Sequence, residues 1–340
     1  MALTETVYPP PAPGGDVAPG RRSRRALLMT LYALAFGASW AVDGLPTDYA
    51  VAFGWLWLAT IAWNHDRPWR RHLAFARDWL PILVLLVLYD VSRGFADELL
   101  PVHIQPMITA DRALFGVIPT VWLQEHLYVP GVVRWWDVGV SFVYFSHFVV
   151  SLTIAVVLWL RNRAVWLAFM RRWFLLTFTG LVTYFLFPAA PPWYAAKQGY
   201  IAETVYRTSS DGWHEIGLRS AGKLISAGQA MSNPVAAMPS LHSAFAMLVV
   251  AFFFARVGRR WIPVLLLYPL AMTFTLVYAG EHYVIDVLVG WTYVALTLVV
   301  MGAAERWWSA RRAERAAARE PVPVGAPGEP VGDADPRLVR

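Results

Sequence analysis

The stretch Gly280-Glu-His-Tyr-Val-Ile-Asp286 opens the last long apolar segment of the chain and places His282 and Asp286 four residues apart. On a helix, residues four apart share one face, so the carboxylate can hold one imidazole nitrogen and leave the other free to attack. About 40 residues upstream, His242 ends Met-Pro-Ser-Leu-His and opens another apolar segment. Because ionisable groups are costly near lipid, histidines that converge on one membrane face indicate a site. The alternative for each group alone is a capping or interfacial pair.

The composition indicates a membrane protein. Of 340 residues, 57% are hydrophobic and 15% are charged, and the mean hydropathy is +0.44. That is too apolar for an ordinary soluble domain, and the 18 tryptophans and 14 tyrosines suit the aromatic belts of membrane interfaces. The net charge of +6 comes from arginines clustered between apolar runs, which is a topology signal and not a nucleic-acid footprint. The chain has no cysteine, which excludes disulfides and thiolate metal sites.

Eight apolar segments are long enough, or nearly so, to cross a bilayer as helices. The chain is therefore predicted to be an all-α integral membrane protein with about eight transmembrane helices. The second segment is short. The segments run over 26–43, 47–63, 78–96, 137–160, 165–187, 240–257, 261–280 and 283–303.

The arginines predict the orientation. If all eight segments cross, every arginine cluster between them falls on one side, which the positive-inside rule makes cytoplasmic. Both termini are then cytoplasmic, and His242, His282 and Asp286 face the outside, in what the GC-rich residue usage suggests is a bacterial plasma membrane. The clusters are Arg21, Arg22, Arg24 and Arg25; Arg67, Arg70, Arg71 and Arg77; Arg161 and Arg163; Arg259 and Arg260; and Arg306, Arg311 and Arg312.

Two long connections lie on the predicted outer side. Residues 97–136 mix apolar and polar side chains, which predicts one or two helices at the membrane interface. Residues 188–238 are rich in Gly, Ser and Pro, and a loop of that length is usually functional or disordered. The composition of residues 1–25 and 304–340 predicts a disordered lead-in and a disordered cytoplasmic tail.

The polar residues fit phosphoryl transfer. Ser240 precedes an apolar run and is predicted to cap its helix, whose N-terminus then offers N–H groups and a positive dipole end to an anion. One histidine as nucleophile and one as general acid complete the set, with no metal or cofactor required. A zinc site formed by two histidines and an aspartate is the alternative.

The motifs resemble those of the type 2 phosphatidic acid phosphatase superfamily. Pro239-Ser240-Leu241-His242 and Gly280–Asp286 with Gly290 are similar to its last two signatures, and Phe187-Pro-Ala-Ala-Pro-Pro-Trp193 stands where the first belongs. The His-Tyr-x-x-Asp and Ala-Pro-Pro-Trp forms are most similar to the inositol phosphorylceramide synthase-like, inositolphosphotransferase branch. The resemblance covers 78–303 and implies a six-helix catalytic core there, which makes 26–77 an addition of two helices.

This resemblance implies residue roles. His282 is the expected nucleophile and forms a phosphohistidine, Asp286 orients it, and His242 protonates the leaving group. The chain departs from the phosphatase pattern because the residues before Pro188 are apolar and position 276 is leucine instead of arginine. The phosphate clamp must therefore come from elsewhere, and the candidates are Arg93, Lys197, Arg207, Arg219 and Lys223.

Other polar and aromatic residues have two interpretations. Asp90 and Arg93 form either a structural intramembrane pair or part of a substrate clamp. His147 is expected to be a buried histidine with satisfied hydrogen bonds. Pro192 and Trp193 are candidates for substrate binding, although a membrane-belt anchor is the favoured role for Trp193.

The expected activity is transfer of a phosphate-containing head group from a lipid donor to an alcohol or polyol acceptor at the extracytoplasmic face. The apolar first motif and the long loop 188–238 favour a covered site and transfer over hydrolysis. A lipid phosphate or polyprenyl diphosphate phosphatase is the first alternative. A non-enzymatic lipid-phosphate transporter or binding protein is the second, although the sequence lacks the inverted repeats of transporters.

Overall fold

Helices form nearly all the regular structure in the computed structural model, which describes residues 19–43, 49–92, 100–217, 222 and 234–318. Within these residues the chain has no strand, only isolated backbone bridges. The helices are α1 Pro19–Asp43, α2 Tyr49–Trp63, α3 Trp69–Ser92, α4 Gln105–Phe115, α5 Pro119–Leu127, α6 Trp135–Arg161, α7 Arg163–Leu186, α8 Pro192–Lys197, α9 Gly212–Glu215, α10 Leu241–Phe253, α11 Ile262–Tyr278 and α12 Val284–Ala317.

Five of the described helices are long and apolar enough to cross a membrane, namely most of α1, α6, α7, α11 and α12. The all-α membrane architecture predicted from the sequence is thereby confirmed. Each of the other three predicted spans also contains a helix, but α2 and α10 are short and α3 begins with several charged residues. The number eight therefore stays a prediction.

The connection predicted to hold interfacial helices contains two, α4 and α5. Their apolar side chains pack with Ala189, Ala190 and Tyr283 in one buried cluster. The first-motif segment runs through this cluster: Ala189 N–H donates to Val235, and Ala190 N–H donates to His103. The two long connections are thus tied together by backbone hydrogen bonds.

Helices α10 and α12, which carry the His242 and His282–Asp286 motifs at their N-terminal ends, approach each other closely at Gly290. A Cβ atom placed on Gly290 would lie 2.7 Å from the backbone oxygen of Ser240 and 3.5 Å from the Cβ atom of Ala244. Real Cβ atoms do not approach a carbonyl oxygen so closely, so only glycine permits this spacing. The contact positions the residue just before α10 against the second turn of α12.

The last helix is longer than the sequence predicted. The disordered tail was expected from residue 304, whereas α12 continues to Ala317. The extension is rich in Ala, Arg and Glu, which are strong helix formers, and Arg311 lies over the Trp307 ring at 4.1 Å. At the other end of the chain, α1 begins at Pro19, inside the predicted lead-in 1–25.

We predict opposite effects for two glycine substitutions. Gly290→Ala should lower the stability by about 1–3 kcal/mol, because the new methyl group overpacks against a backbone oxygen that cannot move freely. Gly139→Ala in α6 is the matched control, since its Cβ would meet no atom within 4 Å and alanine favours a helix by up to about 1 kcal/mol. Thermal unfolding of the purified variants in detergent measures both effects. Changes of the same sign and size in the two unfolding temperatures would contradict the close contact at Gly290.

Candidate active site

His282 is positioned by a tight turn between α11 and α12. Gly280 adopts a φ of +72°, a conformation that favours glycine, and the N–H groups of Glu281 and His282 both donate to the carbonyl of Leu276. The turn is also tied to the first-motif segment, because Trp193 N–H donates to the Gly280 carbonyl. The histidine side chain is buried as a result.

Asp286 lies one turn further along, on the same face as His282. The distance from His282 Nδ1 to Asp286 Oδ2 is 3.5 Å, which is longer than a good hydrogen bond but within reach of a small movement. The same oxygen accepts the Tyr283 N–H at 2.9 Å. Asp286 is fully buried; its Oδ2 makes both of these contacts, whereas its Oδ1 has no hydrogen-bond partner among the described residues.

His242 lies in the first turn of α10, which Ser240 caps as the sequence predicted. The Ser240 hydroxyl accepts from Ser243 N–H at 3.4 Å, and Ser240 N–H donates to the Asp286 carbonyl at 3.0 Å. This backbone bond joins the ends of α10 and α12. The ring centroids of His242 and His282 are 5.6 Å apart, so the predicted trio is assembled in one cluster.

A third histidine belongs to this cluster. The His147 ring on α6 lies 4.1 Å from the His242 ring, and Tyr144 stacks on His242 at 5.3 Å. Nδ1 of His147 is buried and has no hydrogen-bond partner among the described residues. The expectation of a structural histidine with satisfied hydrogen bonds was therefore wrong for Nδ1. The sequence feature that could have indicated a role for His147 is its position, one turn after Tyr144 on the predicted outer half of a transmembrane segment.

One predicted clamp residue, Arg207, lies beside the histidines. Its Nε and Nη2 atoms donate to the two Glu281 oxygens at 2.8 and 3.0 Å, and Ser209 donates to Glu281 at 2.6 Å. The guanidinium also lies 4.9 Å from the Trp193 ring. Burial lowers the pKa of Arg207, but the Glu281 carboxylate raises it, and the net pKa is above its ordinary value. Arg207 is thus a fixed, permanent cation within electrostatic range of His242.

The other predicted binding residues are placed as follows. Pro192 is buried at the start of α8. Trp193 packs against the buried cluster that contains Ala189, Ala190 and Tyr283, and its ring faces Arg207. Lys197 is exposed in the last turn of α8. Asp90 lies in α3, where its side chain is not described. Arg93, Arg219 and Lys223 lie outside the described residues.

Sequence reasoning missed Asp111, which holds the start of α12. Its two oxygens accept the N–H groups of Val284 and Ile285 at 3.0 and 2.9 Å, and the side chain is fully buried. A carboxylate is well suited to this helix N-terminus because the free N–H groups and the dipole attract negative charge. The only sequence signal was an acidic residue within a partly apolar connection.

In the described part of the chain, no three potential ligands among His, Asp and Glu side chains are close enough to hold a metal ion. The zinc alternative therefore gains no support from the geometry of His242, His282 and Asp286.

We predict a pH-dependent stability contribution from Asp111. Burial raises its pKa from 3.8 to about 6, although the backbone N–H groups of Ile285 and Val284 lower it. An acid with a higher pKa in the folded state binds its proton more tightly there, so ionisation destabilises the fold as pH rises from about 4 to 6. Relative to Asp111→Asn, wild-type stability should fall by up to about 3 kcal/mol over that range and stay level above it.

Thermal unfolding of both proteins between pH 4 and pH 8 measures this difference, in which the titration of distant groups cancels. A difference that is constant with pH, or that grows in favour of wild type, would contradict the assignment.

Comparisons with known proteins identify the family of the chain. The chain is 28% identical over 285 residues, 80% of this chain and 81% of the other, to the phosphoinositol dihydroceramide synthase of Bacteroides thetaiotaomicron. No solved structure matches it. The sequence profile of the PAP2 superfamily matches residues 107–300, which include the three clustered histidines (His147, His242 and His282), Asp286 and Arg207. Because this match covers more than half of the chain, the protein belongs to the PAP2 superfamily.

Proposed function

We propose that this protein transfers a phosphate-containing head group from a lipid donor to an alcohol acceptor through a phosphohistidine on His282. The observation that carries the proposal is the cluster in which the His282–Asp286 pair faces His242, with the Arg207 cation beside it. Membership of a superfamily of lipid phosphatases and transferases supports the reaction class.

In the first step, Nε2 of His282 attacks phosphorus while Nδ1–H points to Asp286. A P–N bond forms, the P–O bond to the leaving alcohol breaks, and His242 gives its proton to that oxygen. Asp286 stabilises the positive charge that develops on the imidazole, as the third member of a catalytic triad does.

In the second step, the acceptor hydroxyl loses its proton to His242 and attacks phosphorus. The P–N bond breaks, the new phosphodiester leaves, and both histidines return to their starting protonation states. The aromatic surroundings of His242, formed by Tyr144, His147 and Phe148, would limit water at this stage. Such shielding favours an alcohol over water as acceptor.

Arg207 is the proposed phosphate clamp. Glu281 occupies two of its five N–H donors and fixes the plane of the guanidinium, which leaves the others for phosphate oxygens. Because Glu281 cancels the charge of Arg207, the pair adds little net positive charge to the site. A phosphodiester, with one negative charge, suits such a site better than a phosphomonoester with two.

The similarity to a phosphoinositol dihydroceramide synthase supports a substrate class. We propose a phosphoinositol head group as the transferred unit and a ceramide-like lipid alcohol as the acceptor. Both are compatible with a phosphodiester donor.

The proposed site faces the extracytoplasmic side. His242 lies at the start of α10 and His282 after the end of α11, whereas Arg256, Arg259 and Arg260 lie where α10 ends and α11 begins. The positive-inside rule therefore supports a cytoplasmic position for the arginine end and an outer position for the histidines.

The function is tested by incubating purified protein with labelled phosphatidylinositol and a ceramide, and by separating the lipid products. We expect a new phosphoinositol lipid, unaffected by EDTA. His282→Ala should abolish it, and Asp286→Asn should slow it on the order of 10²- to 10⁴-fold because the nucleophile loses its orienting carboxylate. His126→Ala is the control, since that histidine is exposed on α5.

Release of inositol phosphate at the same rate with and without ceramide would show hydrolysis of the phosphodiester instead of transfer. Full activity of the His282 variant would remove the proposed nucleophile.

His147 is proposed to position His242 and to supply a polar atom to the substrate. His147→Phe keeps a ring against His242 and should fold normally, but it should reduce kcat/KM by about tenfold or more because a hydrogen-bonding nitrogen is lost. His147→Ala should lose further activity through loss of the ring contact. Phe178→Leu is the control, since that ring is exposed on α7 and has no contact with the histidines. If His147→Phe retained full kcat and KM, only the ring contact would matter.

A further inference from the structure

A polar cavity lies far from the histidine cluster, where the end of α2, the start of α3 and the turn between α6 and α7 meet. It encloses about 170 Å³ and is lined by Arg67, Arg71, Arg163, His72, Asn64 and Trp159 among others. Trp159 is twelve residues beyond His147 on α6, which places the cavity about 18 Å along that helix from the cluster. We name it the arginine cavity.

The arginine cavity carries an excess of positive charge. Arg163 pairs with Asp78 at 2.7 Å, and Arg77 also contacts this carboxylate at 3.2 Å. Arg67 and Arg71 have no ion pair with any side chain that the structure describes. The C-terminal ends of α2 and α6 contribute partial negative charges of about half a unit each, but the N-terminal ends of α3 and α7 contribute positive charges of the same size, so the charges of Arg67 and Arg71 stay unbalanced.

The surroundings of the arginine cavity are those of a membrane interface. Trp63 and Trp69 are exposed on either side of the α2–α3 turn, in the manner of an aromatic belt. Further along the same two helices, Leu58, Leu73 and Leu80 are exposed and apolar. A head group in the cavity would therefore have room for acyl chains along these apolar surfaces.

We propose that the arginine cavity binds the phosphate of an anionic phospholipid in the leaflet opposite to the histidine cluster. Basic pockets between transmembrane helices on the cytoplasmic side are suited to such head groups. The bound phosphate would bridge Arg67 and Arg71 of the α2–α3 turn to Arg163 at the start of α7. The lipid would thereby hold the N-terminal helices against the rest of the bundle.

The experiment measures binding and not turnover, so its outcome is independent of the proposed enzyme activity. The protein in detergent micelles that contain phosphatidylcholine, at 0.15 M salt, is titrated with phosphatidylglycerol, and bound lipid is counted by native mass spectrometry. Thermal unfolding gives a second measure, because a ligand of the folded state raises the unfolding temperature. Inorganic phosphate and extra phosphatidylcholine are the comparison ligands.

The test variant is Arg67→Gln/Arg71→Gln, and the charge-matched control is Arg70→Gln/Arg259→Gln, whose arginines are exposed but do not line the cavity. Each basic residue beside an anionic lipid contributes about 1 kcal/mol, so the test variant should bind phosphatidylglycerol about 30-fold more weakly than wild type. The control should stay within about threefold, because neither of its arginines lines the cavity.

Equal weakening in both variants would show general attraction to the arginine-rich surface and would overturn the proposal. Saturable binding of inorganic phosphate that displaces phosphatidylglycerol would identify a soluble anion as the ligand and would also overturn it. Absence of any resolved bound phosphatidylglycerol on the wild-type protein would have the same consequence.

Discussion

The backbone contact between the start of α10 and the start of α12 sets the geometry of the whole site. Ser240 N–H donates to the Asp286 carbonyl, and Gly290 allows the Ser240 carbonyl to lie against α12. Both histidines are one or two residues from helix starts joined by this contact. Their spacing is therefore determined by packed backbone and not by flexible side chains, which is the condition for positioning two groups on one phosphorus atom.

The two long connections, residues 97–136 and 188–238, stabilise the elements around that contact. Irregular backbone near a membrane must have its N–H and C=O groups satisfied within the protein. Asp111 satisfies the first N–H groups of α12, and Gln124 donates to the carbonyls of Tyr206 and Tyr278 while it accepts the Tyr206 N–H. Two buried side chains of α4 and α5 thus fix the loop that carries Arg207 and the helix that follows His282.

Local sequence patterns predicted the features that depend only on residues close together in the chain. The apolar segments became helices, the four-residue spacing placed His282 and Asp286 on one face, and Ser240 capped α10. These features follow from the helical period and from capping chemistry, which a short stretch of sequence contains.

Contacts between distant residues could not be predicted in the same way. Asp111 accepts hydrogen bonds from Val284 and Ile285, which are 173 and 174 residues further along the chain. Arg207 pairs with Glu281, from which it is separated by 74 residues. A single sequence holds no signal for such pairs except the rarity of charge in an apolar chain. His147 shows the limit well, because its sequence surroundings are equally those of a core histidine, and only the packing of α6 on α10 places it beside His242.

The charge balance of the site connects the missing basic residues to the proposed substrate. A phosphatase that binds a dianionic monoester benefits from several uncompensated cations, since unpaired charge in a dry site is costly. Here Arg207 is matched by Glu281, and Leu276 stands where the phosphatase pattern has arginine. A site with fewer uncompensated cations suits an anion that carries less negative charge. A diester passed between two lipids carries one negative charge throughout, and its leaving group and acceptor are both alcohols that a single histidine, His242, can serve in turn.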